Sequence, residues 1–160
     1  MSKNKRVILG IDPGYARVGY GIIAVAGGKI SMVDCGIIET EAGLAFEKRL
    51  KLINIKLVEL LKIFKPNLVC YEDIFFYKNV KTGIAVSKAL GAILLTVVQA
   101  NIPTLNFTPL QVKQALTGYG RADKQQIQKV IKTVLKLKSM SQPDDVADAL
   151  AIAICGSQGS

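Results

Sequence analysis

The sequence predicts a single α/β domain, and three observations carry that reading. An apolar run, Val7 to Ile11, ends in an acid and a glycine-rich turn. Two further apolar segments follow at close range, as an antiparallel meander requires. Beyond Phe46, segments of helical and extended periodicity alternate.

Val7, Ile8, Leu9 and Ile11 form a run without charge, which suits a strand covered on both faces. Asp12 stands at its carboxyl end, before Pro13 and Gly14. Gly19 and Gly21 leave room for close backbone approach, and Ile22 to Val25 can pair back as a second strand. Gly14 and Gly19 imitate the glycines of a phosphate loop, but Tyr20 and Gly21 occupy the positions of its Lys and Ser/Thr. A dinucleotide fingerprint at Gly19, Gly21 and Ala24 is excluded in turn, because it must open a helix. Taken alone, Asp12 reads as a turn-forming aspartate.

Lys29 to Glu39 alternates loosely and predicts the third strand. Phe46, Leu50, Ile53, Leu57, Leu61 and Phe64 recur at spacings of four and three, with lysines off the stripe, so an amphipathic helix follows. Lys65 and Pro66 end it. Asn67 to Tyr71 repeats the opening pattern of apolar strand and acid, here Glu72. If the helix is a right-handed crossover, this strand lies parallel to the first and brings Glu72 to the edge that holds Asp12.

Thr82 to Gln99 has helical length and a single charge, Lys88, so it needs cover on most sides, and a second copy of the chain is the expected cover. Thr104 to Phe107 reads as a fifth strand, and Pro109 opens a short helix with Val112, Lys113 and Leu116. After Gly118 to Gly120 a helix from Asp123 places Ile127, Val130, Ile131, Val134 and Leu137 on one face. Pro143 and Asp144 start the last helix, with Asp144 read as its cap. Asp145 and Asp148 are three apart and share a face in its first turns.

At 160 residues, half of them apolar, the chain suits one domain, read as residues 1–156 with a disordered tail at 157–160. Ala89 to Ala100, the longest nearly uncharged segment, is too short to span a bilayer, which takes roughly 20 residues, and no signal peptide is legible, so a cytoplasmic setting is expected. Cys35, Cys70 and Cys155 read as reduced, buried thiols. Histidine is absent, which excludes Ser-His and Cys-His catalysis and His-containing zinc sites. A net charge of +9 points to a polyanionic partner, with nucleic acid foremost.

Only 12 acids occur, yet Asp12, Glu72, Asp145 and Asp148 all fall at strand ends or a helix start. Four carboxylates in one cleft repel one another unless a cation neutralises them, and oxygen ligands without His or Cys favour magnesium or manganese. Two such ions about 4 Å apart can activate water and stabilise the leaving oxygen of a phosphodiester. Asp73 points to the opposite side of an extended chain from Glu72, so it and Asp144 are left out of this set.

The segments GIDPG at Gly10 to Gly14, RVGYG at Arg17 to Gly21, YEDIFFYKN at Tyr71 to Asn79, VKQALTGYGRADKQQ at Val112 to Gln126 and DVADALAIAI at Asp145 to Ile154 carry a resemblance. Together they resemble the RuvC family of bacterial Holliday-junction resolvases, within the ribonuclease H-like nuclease superfamily. The resemblance implies a ribonuclease H-like, five-stranded mixed sheet, three antiparallel strands and two parallel, flanked by helices. It implies a homodimer, symmetric nicking of opposed strands of a four-way DNA junction, and two metal ions per active site. Asp12, Glu72, Asp145 and Asp148 match the metal-binding acids, Lys113 and Lys124 the basic residues near the phosphates, and Phe75 the aromatic that stacks on bases. A branch-migration helicase and a junction-binding complex are the implied partners.

Rival readings are an actin-like or sugar-kinase-like nucleotide binder, for which the chain is too short, a junction-binding dimer that does not cut, and a related nuclease with another substrate. The four acids argue against a pure binder, which would gain affinity by shedding negative charge near phosphate.

Overall fold

Three strands in succession, β1 (Arg6–Asp12), β2 (Arg17–Ala26) and β3 (Lys29–Glu39), pair antiparallel, so the predicted meander is present. Helix α1 (Phe46–Phe64) then crosses over to β4 (Leu68–Glu72), which lies parallel to β1. A second helix, α2 (Val80–Gln99), leads to β5 (Thr104–Phe107), parallel to β4. The strand order is therefore β3-β2-β1-β4-β5, and three helices follow: α3 (Pro109–Thr117), α4 (Lys124–Leu135) and α5 (Asp144–Gln158). The computed structural model describes residues 4–73 and 79–159.

The period-2 alternation of β1 divides the core. Ile8 faces the layer built with α5, together with Ile23, Leu68 and Cys70. Leu9 and Ile11 face the layer built with α1 and α2, together with Ile22, Val69, Ile53, Leu57, Ala89 and Ile93. A strand in the middle of such a sandwich must be apolar on both sides, which is why the run lacks charge. Each fully buried Ile or Leu contributes about 2 kcal/mol.

The glycines of β1 and β2 form the seat for α5. A Cβ on Gly10 would come within 2.1 Å of Ala149 O, one on Gly19 within 2.2 Å of Asp145 O, and one on Gly21 within 2.7 Å of the Leu150 side chain. The close approach anticipated from the glycines is therefore an approach by the last helix.

The turn after Asp12 is held from outside the hairpin. Thr40 Oγ1 donates to Tyr15 O and Ala16 O, 3.1 Å each, and accepts from Arg49 Nη1 at 2.7 Å. The Arg49 guanidinium also stands 5.8 Å from the Tyr15 ring centre. Thr40 is buried, so these bonds satisfy a hydroxyl that would otherwise be costly.

Four expectations are corrected. Residues 157 and 158, assigned to a disordered tail, belong to α5. Gly156 lies within that helix, and Cys70 Sγ packs where its Cβ would stand. The helix that carries Ala89 to Gln99 runs 20 residues and is long and apolar enough to cross a membrane, because the charge-poor stretch begins before Ala89. In this fold its Ala89, Ile93 and Val97 enter the core instead. Helix α4 stops at Leu135, where Lys136 turns into the left-handed region at φ 54, and Leu137 packs on the core from beyond the helix. Asp144 does not cap α5; Pro143 holds the cap position, and the Asp144 side chain is engaged elsewhere.

Candidate active site

Strand alternation decides which side chains meet. Gly10 faces α5, so Asp12, two residues on, faces the same side. Cys70 lies against Gly156 of α5, so Glu72 follows it onto that side too. Ile11 is paired with Tyr71 in the parallel ladder, which brings the next residues, Asp12 and Glu72, together at the carboxyl edge of β1 and β4. Gly19, across from Asp12, receives the backbone of Asp145 itself. One helical turn further, Asp148 completes the set from the same helix face.

The electrostatics register this convergence. Burial, and then the charges of Asp148, Glu72 and Asp145, push the Asp12 carboxyl up to about 8, with Lys124 opposing. Burial and the Asp148 charge raise Glu72 to about 7, with Lys113 opposing. Burial raises Asp148 as well, against the pull of Lys124. Asp12 senses all three of the other acids, so the four form one electrostatic unit. Among the described residues no three of these groups close on a single point as a finished ion cage. Two of them, Glu72 and Asp148, line an open cleft.

The donor set fits hard divalent ions: it consists of carboxylate oxygens alone, partly buried, and mutual repulsion makes a cation the cheapest way to keep them ionised. Asp12, Glu72, Asp145 and Asp148 would hold such ions.

The basic residues stand beside them. Glu72, Asp148, Lys113 and Lys124 line a cavity of about 350 Å³, with Val112, Ala122, Ile127, Ala147, Ala151 and Ile152 as its apolar walls. Lys124 Nζ lies 3.0 Å from Asp144 Oδ2, and this bond raises its pKa. Asp144, which also lines this cavity, thus holds a lysine at its rim. Asp73 is turned away as anticipated: its amide donates to Phe107 O and its carboxylate accepts from Asn106 Nδ2 at 2.7 Å. Phe75 lies outside the described residues.

Sequence reasoning missed Arg17, whose Nε is 3.3 Å from Asp145 Oδ2. The available signal was its position two residues before Gly19, on the same strand face. Using it required knowing that α5 packs there.

Residues 8–156 match the family model described as crossover junction endodeoxyribonuclease RuvC. The chain belongs to the RuvC family. RuvC of Thermosipho melanesiensis is 49% identical over 148 residues, covering 92% of this chain and 94% of the relative. RuvC of Caldicellulosiruptor saccharolyticus is 48% identical, covering 92% and 90%. Among solved structures, Thermus thermophilus RuvC in complex with a Holliday junction substrate superposes with a TM-score of 0.90 at 35% identity, covering 95% of this chain and 93% of that one. A second structure of Thermus thermophilus RuvC superposes with a TM-score of 0.88, covering 94% of this chain and 93% of that one. The ribonuclease H-like expectation for the fold is met in this RuvC architecture.

Proposed function

We propose that this chain cuts a four-way DNA junction at two opposed strands, using divalent ions held by Asp12, Glu72, Asp145 and Asp148. The observation that carries the reading is that these four acids, scattered through the sequence, share one sheet edge and one helix face in a RuvC-family fold. The solved Thermus complex with a Holliday junction supports the choice of substrate. Magnesium is the expected ion, with manganese able to serve.

Bound in this cleft, a pair of divalent ions supplies an activated water and charge for the departing oxygen of the phosphodiester. The protein supplies the rest. Asp12 and Glu72, rooted in the two central strands, fix the rigid half of the site, and α5 delivers Asp145 and Asp148 to it. Lys124 and Lys113 offset the charge that a phosphate brings into an acidic cleft. Phe75, three residues after Glu72 in the sequence, is assigned to base stacking near the crossover on family resemblance.

A symmetric pair of nicks calls for two active sites, and α2 supports a homodimer. Ile84, Leu95 and Val98 are 49%, 59% and 60% exposed and, with Lys88 and Gly91, follow a four-three spacing down one face. The family resemblance also supports a branch-migration helicase and a junction-binding complex as partners, and a cytoplasmic setting.

The test is cleavage of an end-labelled four-way junction beside a linear duplex and an RNA–DNA hybrid, with magnesium and with chelator. Paired, metal-dependent nicks on opposed junction strands are expected. Junction binding without nicks would replace the nuclease by a binding dimer, and cutting of the hybrid would redirect the substrate.

A further inference from the structure

Arg17 opens β2 and has Glu39 directly across from it in β3, an acid on an adjacent strand that it could pair with at little cost. Its guanidinium instead reaches the other way, to Asp145 Oδ2. The root of this side chain is fixed, because Ala16 O accepts from both the amide and the hydroxyl of Thr40. The tip is not: the Arg17 side chain is 47% exposed and that of Asp145 34%. Among the described residues Arg17 is the one cation paired to any of the four acids. Lys113 and Lys124 stand along the cavity bounded by α3, α4 and α5, whereas Arg17 approaches from the strand side.

Building on the junction-nuclease reading, we infer that Arg17 is a positioning residue that changes partner: it neutralises Asp145 until a divalent ion takes that carboxylate, and the released guanidinium then holds a DNA phosphate. The exchange follows from charge. A carboxylate bound to a divalent ion has little attraction left for a monodentate, exposed guanidinium, while the phosphate arriving at the cleft is the strongest acceptor within reach. An arginine suits this better than a lysine, since its fork can take two phosphate oxygens together. Lys113 and Lys124 then grip the substrate from one side of the acids and Arg17 from the other.

Two measurements on the full chain test the exchange. In calorimetric titration of manganese without DNA, Arg17→Gln should bind the ion about two- to fivefold more tightly, because an exposed ion pair no longer competes for Asp145. In junction binding measured against salt, Arg17→Gln should lower the slope of log affinity on log salt by about 1 in calcium and leave it unchanged in chelator. Arg17→Lys, which keeps the charge, should restore most of that slope and controls for folding.

Manganese affinity that is unchanged or weaker in Arg17→Gln would overturn the inference, as would an equal loss of slope with and without calcium. If the parent protein does not prefer the junction to a linear duplex, the substrate reading fails instead. The manganese titration still decides the competition for Asp145 in that case.

Discussion

Lys124 Nζ and Asp144 Oδ2 meet at 3.0 Å across the rim of the cleft, one from the start of α4 and the other from the start of α5. The pair is exposed, at 71% and 61%, so it contributes little to stability, about 0–1 kcal/mol at most. Its effect is on where the lysine sits. Asp144→Asn should leave the melting temperature nearly unchanged and strengthen junction binding severalfold at low salt, because it removes an acid from the path of the phosphate. Binding isotherms at two salt concentrations check this, and weaker binding would show that Asp144 is needed to aim Lys124.

Lys124→Ala separates catalysis from folding. The side chain is 71% exposed, so thermal melting should hold within about 1 °C of the parent. Turnover should fall by about tenfold or more, since charge beside the developing negative oxygen is lost. Single-turnover cleavage of the junction is the readout, and an unchanged rate would remove Lys124 from the phosphate role.

The raised carboxyls of Asp12, about 8, and Glu72, about 7, link stability to pH. The folded chain holds these protons after the unfolded chain has lost them at about pH 4. The stability they contribute is complete below that value and is lost as pH rises through 7 to 8. Metal-free protein should therefore weaken across this window, and Asp12→Asn should remove much of the decline, leaving the variant more stable at pH 8.5 by at least about 2 kcal/mol. Magnesium should restore the parent by binding the ionised site. Denaturant melts in chelator from pH 5 to 8.5 test the sign, and a flat profile for the parent would contradict it. Asp12→Asn should also abolish cleavage.

Gly19→Ala should damage the site through the backbone. Its Cβ would stand 2.2 Å from Asp145 O, a main-chain atom that cannot swing aside, so the start of α5 must lift from β2. A loss of about 2–4 kcal/mol is expected, as for other overpacked core positions. Cleavage should drop further than stability at permissive temperature, because Asp145 and Asp148 move together. Parallel melting and cleavage assays check the two effects.

Much of this was legible in the chain because the local signals agreed with the fold. Lys29–Glu39, Phe46–Phe64 and Thr104–Phe107 form the elements expected of them: the helix is marked by its four-three stripe and Pro66 beyond it, and the strands by Gly28 and Pro103 before them. The four acids could be grouped from the sequence because two strands end in carboxylates and the last helix begins with two more, and the fold brings these ends to one edge. What escaped depended on contacts between distant segments. Arg17 reads as an ordinary exposed strand residue until α5 is laid across Gly19. Asp144 reads as a cap until Lys124 is seen beside it. The segment Ala89 to Ala100 reads as too short to span a bilayer until the turns from Val80, with Lys81 and Lys88, are counted into the same helix.

The division of β1 between two core layers bears on how the site comes apart. Asp12 ends the strand whose neighbours Ile8, Leu9 and Ile11 are no more than 1% exposed, and β2 and β4 flank it on either side. No local fraying frees such a strand, so its amide protons should exchange with solvent only when the whole molecule opens, and at the rate that global opening allows. The approach to α5 has the opposite character, with residues 141–144 exposed, while Val146 and Ala147 of its first turn are already buried. The cleft thus joins strands as permanent as the fold to a helix seated on them from Asp145 onward, and the adjustments that admit a bulky strand of DNA fall to the exposed approach at residues 141–144.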